Sequence, residues 1–131
     1  MILVDTSDWI DLIRTGKASA EARDRLLDNV TCGPVLQEIL QGGDDHPEWQ
    51  GFTNDLLSMP SLDDPLPLEA FVEAAAIYRS GRRRGYTIRS TVDCLIAAIA
   101  IRHKARVWHK DRDFDAIARY TELRTITQFP S

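Results

Sequence analysis

The apolar positions of this 131-residue chain fall into short uninterrupted runs separated by longer, periodically spaced ones. Ile2-Leu3-Val4 is such a run, the pattern of a short buried strand. Behind it, Trp9, Ile10, Leu12 and Ile13 recur at helical spacing up to Gly16, and a second helix is predicted from Ser19 to Asn29 with Ala22, Leu26 and Leu27 inward. Val30-Thr31-Cys32 reads as a strand. Gly33-Pro34 then opens a helix, because proline suits a first helical position whose N–H needs no partner, and Gly42-Gly43 closes it. Pro47 to Ser58 is a further helix, Met59 to Leu62 a short extended piece, and Asp63-Asp64-Pro65 a turn.

In the second half, Leu68 to Arg84 is a long amphipathic helix with Phe71, Val72, Ala75, Ala76 and Tyr78 as its apolar positions. It ends in Arg82-Arg83-Arg84-Gly85. Ser90 opens a nearly all-apolar helix through Ile101, too apolar for the surface and therefore central. Arg106-Val107-Trp108 is a strand, Asp111 to Tyr120 a helix, and Arg124 to Thr127 the last strand. Short β runs alternating with helices predict an α/β fold with a mainly parallel sheet. No repeat or linker interrupts the pattern, so a single domain over residues 1–131 is expected.

Composition adds little beyond this: 44% apolar and 27% charged residues are ordinary for a globular domain. No apolar run approaches the roughly 18–20 residues that span a bilayer, and Met1 leads straight into Ile2-Leu3-Val4-Asp5 without a basic leader. A cytoplasmic protein is expected. Cys32 and Cys94 are too few for a disulfide framework or a zinc site, and Cys94 reads as a small buried hydrophobe.

Charge changes the picture more. The net charge of −4 speaks against a nucleic-acid partner, but its distribution does not. Eight acids and no Lys or Arg lie from Glu38 to Glu69, whereas ten Lys or Arg and only two acids, Asp93 and Asp111, lie from Arg79 to Arg112. A basic stripe of this kind is the footprint of a polyanion partner; its plainer explanation is a solvated helix face.

Four separated segments place a carboxylate at a strand end or on a helix. Asp5 and Asp111 follow strands, and ligands of open α/β sheets bind beyond the carboxyl ends of the strands. Asp93 and Asp113 lie in first helical turns, where backbone N–H groups stabilise anions. Glu38 lies mid-helix, off the face of Val35, Leu36, Ile39 and Leu40. Each acid also has a plain structural role. Ser90 to Asp93 fits a capping box, Asp111 or Asp113 suits a cap of the next helix, Asp5 or Ser7 a cap of the first, and Glu38 simple exposure. If the fold gathers them, they repel one another unless a cation sits among them, and oxygen-only ligands suit Mg²⁺ or Mn²⁺.

The joint pattern resembles the PIN-domain nucleases, specifically the VapC-type toxin ribonucleases of toxin–antitoxin pairs. Four blocks carry the resemblance in order: Ile2-Leu3-Val4-Asp5-Thr6-Ser7, Pro34-Val35-Leu36-Gln37-Glu38-Ile39-Leu40, Ile88-Arg89-Ser90-Thr91-Val92-Asp93-Cys94-Leu95-Ile96-Ala97, and His109-Lys110-Asp111-Arg112-Asp113-Phe114-Asp115. It implies a three-layer α/β/α sandwich, a homodimer and a VapB-type antitoxin. It also implies catalytic and metal-binding roles for Asp5, Glu38, Asp93 and Asp111, with Asp113 as an additional or alternative ligand. Thr6 or Ser7 matches the hydroxyl beside the first acid, and Ser90 is a supporting residue.

The chemistry so implied is hydrolysis of an RNA phosphodiester with one or two Mg²⁺ or Mn²⁺ ions, arresting translation. Asp5 and Asp93 are the expected principal ligands, and Glu38 the expected orienting base, acting through water. Arg82, Arg83, Arg84 and Arg89 are expected to grip phosphates, which positions RNA without reading its bases. A structured RNA with an exposed loop, such as a tRNA, is the expected target. Three other readings stand beside this one. A haloacid-dehalogenase-like phosphatase wants a second Asp where Ser7 stands. A metal-independent ribonuclease needs paired histidines from among His46, His103 and His109. A catalytically inert PIN-like protein binds RNA or antitoxin and uses its acids only as caps.

Overall fold

The structure, a computed structural model, describes residues 1–9, 20–43 and 47–128. The predicted first helix beyond Trp9, the start proposed at Ser19, and His46 lie outside these residues. The described residues include five short strands: β1 (Ile2–Val4), β2 (Thr31–Cys32), β3 (Ser61–Leu62), β4 (Arg106–Trp108) and β5 (Arg124–Ile126). They alternate with α1 (Ala20–Leu27), α2 (Gly33–Leu40), α3 (Pro47–Leu57), α4 (Leu68–Arg83), α5 (Thr91–His103) and α6 (Arg112–Ala118). Residues 6–9 also take helical conformation directly after β1.

All strand pairs are parallel: β1 with β4, β4 with β5, and β2 with β3. A single bridge between Leu3 and Val30 joins the two groups, so the strands lie in the order β3-β2-β1-β4-β5. The order reverses between β1 and β4. Right-handed crossovers put the helices before β3 on one face and those after it on the other, which gives three layers. In such sheets the ligand crevice opens where the order reverses, at the carboxyl ends of the two strands concerned. Those ends carry Asp5 and His109 to Asp111.

The core collects Leu3, Val4 and Val107 from the sheet with Ile96 and Ile99 from α5 and Phe114 and Ile117 from α6, all fully or almost fully buried. Seven residues of α5 are buried, as its composition predicts for a central helix. Helix α4 differs from expectation. Its buried positions are Ala70, Ala74, Ile77 and Gly81, whereas Phe71 and Val72 are 47% and 63% exposed. Small residues allow α4 to lie close against α5, so the bulky apolar side chains fall on its outer face. Gly81 is part of that fit, because a Cβ there lies 2.5 Å from the Tyr120 hydroxyl, which itself donates to the Ile77 carbonyl at 2.8 Å.

Helix α4 ends in a left-handed turn. Gly85 has φ +84°, the Tyr86 N–H returns to the Gly81 carbonyl at 2.9 Å and the Gly85 N–H to Arg82 at 3.1 Å, a Schellman closure. Further on, Asp63 takes φ 54° at the predicted turn, and its carboxylate accepts from Arg102 Nε at 3.2 Å and meets His103 Nε2 at 2.7 Å. Both cysteines are free and buried.

Candidate active site

Each strand end delivers its acid by backbone geometry. The Asp5 N–H donates to the Trp108 carbonyl at 2.9 Å, fixing the exit of β1 against β4. Asp5 is buried, and its Oδ2 accepts from the Ser7 hydroxyl at 2.8 Å and the Ser7 N–H at 3.4 Å. The expected capping role of Asp5 is therefore present, but it is combined with burial. The Ser7 hydroxyl also accepts from the Lys110 N–H at 3.3 Å, so one side chain ties the first acid to the turn that carries the fourth. Thr6 donates to Glu38 Oε1 at 3.1 Å, linking the β1 exit to the middle of α2.

Asp111 caps α6 by accepting from the Asp113 N–H at 2.9 Å. Asp113 is buried and turns its Oδ2 to the backbone N–H groups of Arg89 at 3.0 Å and Ser90 at 3.1 Å. Ser90 caps α5 by accepting from the Asp93 N–H at 3.3 Å. The expected capping box is thus only half formed: Asp93 gives its N–H to Ser90, but its carboxylate does not return to Ser90. Asp93 is 5% exposed, and its Oδ2 is buried without a hydrogen-bond partner.

One ligand oxygen each from Asp93, Asp111 and Asp113 lie within 4.8 Å of one another, a group able to hold a metal ion. Asp5 and Glu38 flank it rather than belong to it, though their charges reach it. Burial, the adjoining Asp111 carboxyl and the charges of Asp5 and Asp113 push Asp93 up to about 9. Burial raises Asp5 against the lowering effect of its Ser7 bonds, and burial likewise raises Glu38, with Asp5 and Asp111 adding to the rise. A shared proton or a cation is what such a cluster needs. An all-oxygen set with one buried, unpartnered carboxylate oxygen fits a hard divalent cation.

Of the expected phosphate contacts, Arg82, Arg83, Arg84 and Arg89 are all exposed. Arg89 adjoins the site through its own N–H bond to Asp113, and the other three lie at the end of α4. Two buried polar groups stand beside these residues: one escaped the sequence analysis, and the other was named there only as a candidate member of a histidine pair. Asp8, buried in the helical turn after Asp5, carried no distinguishing signal. His109 had one: the period of two along β4 places it on the buried side with Val107. The two described histidines do not pair, since His103 meets Asp63 whereas His109 Nδ1 accepts from the Asp111 N–H at 3.1 Å.

Residues 2–120 match the PIN domain family. VapC ribonuclease Mb1587 of Mycobacterium bovis and ribonuclease VapC11 of Mycobacterium tuberculosis are each 46% identical to this chain over 136 residues, covering 97% of it and 98% of the relative. Among solved structures, VapBC2 of Rickettsia felis, bound to a DNA fragment from its promoter, matches with TM-score 0.70 at 18% identity, over 96% of this chain and 98% of that one. VapBC-1 of nontypeable Haemophilus influenzae matches with TM-score 0.71 at 17% identity, over 96% and 97%. At such identities the likeness speaks for the fold, and it agrees with the α/β sandwich built above. With its carboxylates gathered at the strand ends where the sheet order reverses, the chain belongs to the PIN-domain family and, within it, to the VapC ribonucleases.

Proposed function

We propose that this protein is the toxin of a VapBC-type pair, an endoribonuclease that hydrolyses RNA phosphodiesters with Mg²⁺ or Mn²⁺ and so arrests translation in the cytoplasm. The observation that carries the reading is the Asp93–Asp111–Asp113 group with its unpartnered buried Asp93 oxygen. The ribonuclease names of the relatives at 46% identity support the activity.

Asp93, Asp111 and Asp113 would hold the cation, with Asp5 beside them. When bound, it supplies charge to polarise the scissile phosphate and lowers the pKa of a coordinated water. The residues do the rest. Ser7 fixes the Asp5 carboxylate, and Asp113 holds the start of α5 so that Asp93 faces Asp111. Glu38, half-buried and steadied by Thr6, would orient the attacking water and take its proton. Arg89 and the Arg82–Arg84 cluster offer exposed guanidinium groups to flanking phosphates, which fixes register without base choice. Unpaired bases are what proteins read in RNA, so a structured RNA with an open loop, such as a tRNA, is the substrate class.

A VapB-type antitoxin is the proposed inhibitor, in keeping with the VapBC assemblies among the structural neighbours. A second copy is the proposed partner for the outer face of α4. Leu68, Phe71 and Val72 are exposed there beside a 450 Å³ groove that also takes in Tyr78, Val92 and Leu95. Exposed apolar surface of this kind marks interfaces. Antiparallel packing about a two-fold axis would set Glu69 of one helix against Arg79 of the other.

The test is sequencing of cellular RNA 5′ ends shortly after induction, in wild type and in Asp93→Asn. A discrete set of new ends that needs Asp93 supports the reading and names the substrate; unchanged RNA removes it.

A further inference from the structure

The turn between β4 and α6 has every backbone N–H committed. The His109 N–H donates to the Ile126 carbonyl at 3.1 Å, the Lys110 N–H to the Ser7 hydroxyl at 3.3 Å, and the Asp111 N–H to His109 Nδ1 at 3.1 Å. Only the last of these uses a side chain of the turn itself. The imidazole is 1% exposed and packs at 5.2 Å from the Phe114 ring, so its plain role is to fill the core. An apolar side chain does that equally well. What it does not do is accept a hydrogen bond.

We propose that His109 is a positioning residue, whose Nδ1 fixes the backbone of Asp111 and thereby the direction of that carboxylate towards Asp93. A backbone N–H only donates, so Nδ1 is the bare nitrogen and the ring proton sits on Nε2. Nε2 lies 3.4 Å from an Asp115 oxygen without a directed hydrogen bond, a contact that favours this tautomer. Asp111 is extended, with φ −103° and ψ 128°, and it must hold that conformation to cap α6 and face Asp93 together. Without an acceptor for its N–H, Asp111 would be held on its N-terminal side only through the neighbouring Lys110 bond to Ser7. The part-buried N–H would also lose its partner, which costs free energy. Groups that orient ligands from behind typically change metal affinity or activity by about 10- to 100-fold.

The inference rests on the reading of Asp111 as a site carboxylate, and its test separates the two. His109→Asn keeps an acceptor near the Nδ1 position, whereas His109→Gln carries its polar group out to the Nε2 position. Hydrogen exchange at the Asp111 amide, measured in EDTA, reports the bond without any metal. Calorimetric titration with Mn²⁺ reports its consequence. The expected result is an Asp111 amide protected in wild type and His109→Asn but open in His109→Gln, with Mn²⁺ affinity about 10- to 100-fold weaker in His109→Gln alone. Equal protection and equal affinity in the two variants would overturn the proposal and leave His109 a space-filling residue. If wild type binds no Mn²⁺, the metal reading fails, and the exchange data still decide whether His109 holds Asp111.

Discussion

The Ser90 N–H donates to Asp113 Oδ2 at 3.1 Å, and this bond releases Asp93 from its apparent role as a helix cap. In a complete capping box the third residue of the helix returns its carboxylate to the cap residue's N–H. Here Asp113 has taken that N–H, together with the N–H of Arg89. Asp93 still donates to the Ser90 hydroxyl but keeps its carboxylate for Asp111. One buried acid thus supplies the hydrogen bond that lets another serve the site.

Asp93→Asn tests this division directly. At pH 7 in EDTA the Asp93 carboxyl, raised to about 9, is already largely protonated, and Asn is close in shape to the neutral acid. The variant should melt within about 1 kcal/mol of wild type, the scale of a lost cap. Its stabilisation by Mn²⁺ should shrink, and RNA cleavage should fall by orders of magnitude. Melting curves with and without Mn²⁺, plus turnover, decide it; normal turnover with a full metal shift returns Asp93 to a capping role.

The same pKa direction sets a pH dependence. The unfolded chain releases the Asp93 proton near 3.8, whereas the folded protein keeps it to about 9. Between those values the folded state binds more protons, so this contribution is full below pH 4 and lost as pH rises to 9. Asp5 and Glu38, also raised, act in the same sense. In EDTA, wild type should therefore lose stability relative to Asp93→Asn from pH 6 to pH 9. Parallel curves for the two proteins would contradict the buried, protonated Asp93.

Divalent cations should act in the opposite direction. A ligand that binds only the folded state adds about 2.7 kcal/mol at a hundredfold excess over its Kd. Binding displaces the shared proton, so the rise in Tm with Mn²⁺ should grow from pH 6 to pH 8. EDTA should abolish cleavage reversibly. Cleavage that survives EDTA would exclude the metal mechanism.

Replacing Arg82, Arg83 and Arg84 together by Ala should weaken RNA binding across sequences and flatten its salt dependence, as loss of phosphate contacts does. Stability should change little, because all three are exposed. Binding measured between 50 and 200 mM salt on two unrelated RNAs provides the check. Intact RNA binding with a lost second copy assigns these arginines to the α4 face instead.

Gly81→Ala should destabilise by about 1–3 kcal/mol, the cost of overpacking a filled interior. The new methyl would meet the Tyr120 hydroxyl, which is held by Ile77 and stacked at 5.3 Å on Tyr86. Denaturant unfolding of Gly81→Ala with and without Tyr120→Phe is the measurement. The second change should recover part of the loss, and no recovery points to a different clash.

Among the described residues, sequence alone determined the elements and their order, because helix and strand periods are local. Ile2-Leu3-Val4 and Arg106-Val107-Trp108 formed strands as their patterns required, and the apolar run after Ser90 formed the buried helix. The five acids were legible for the same reason: each stands at a strand end or on a helix within a recognisable block. The tertiary structure decided which face of α4 is inner, since the close approach of α5 rewards Ala70, Ala74 and Gly81 over Phe71 and Val72. It also decided which acids form the tight group and which flank it. Above all, it gave Asp113 the Ser90 N–H and gave His109 the Asp111 N–H. Hydrogen bonds between residues 23 positions apart, or set by the burial of one ring, depend on how the elements pack, and no local period encodes that.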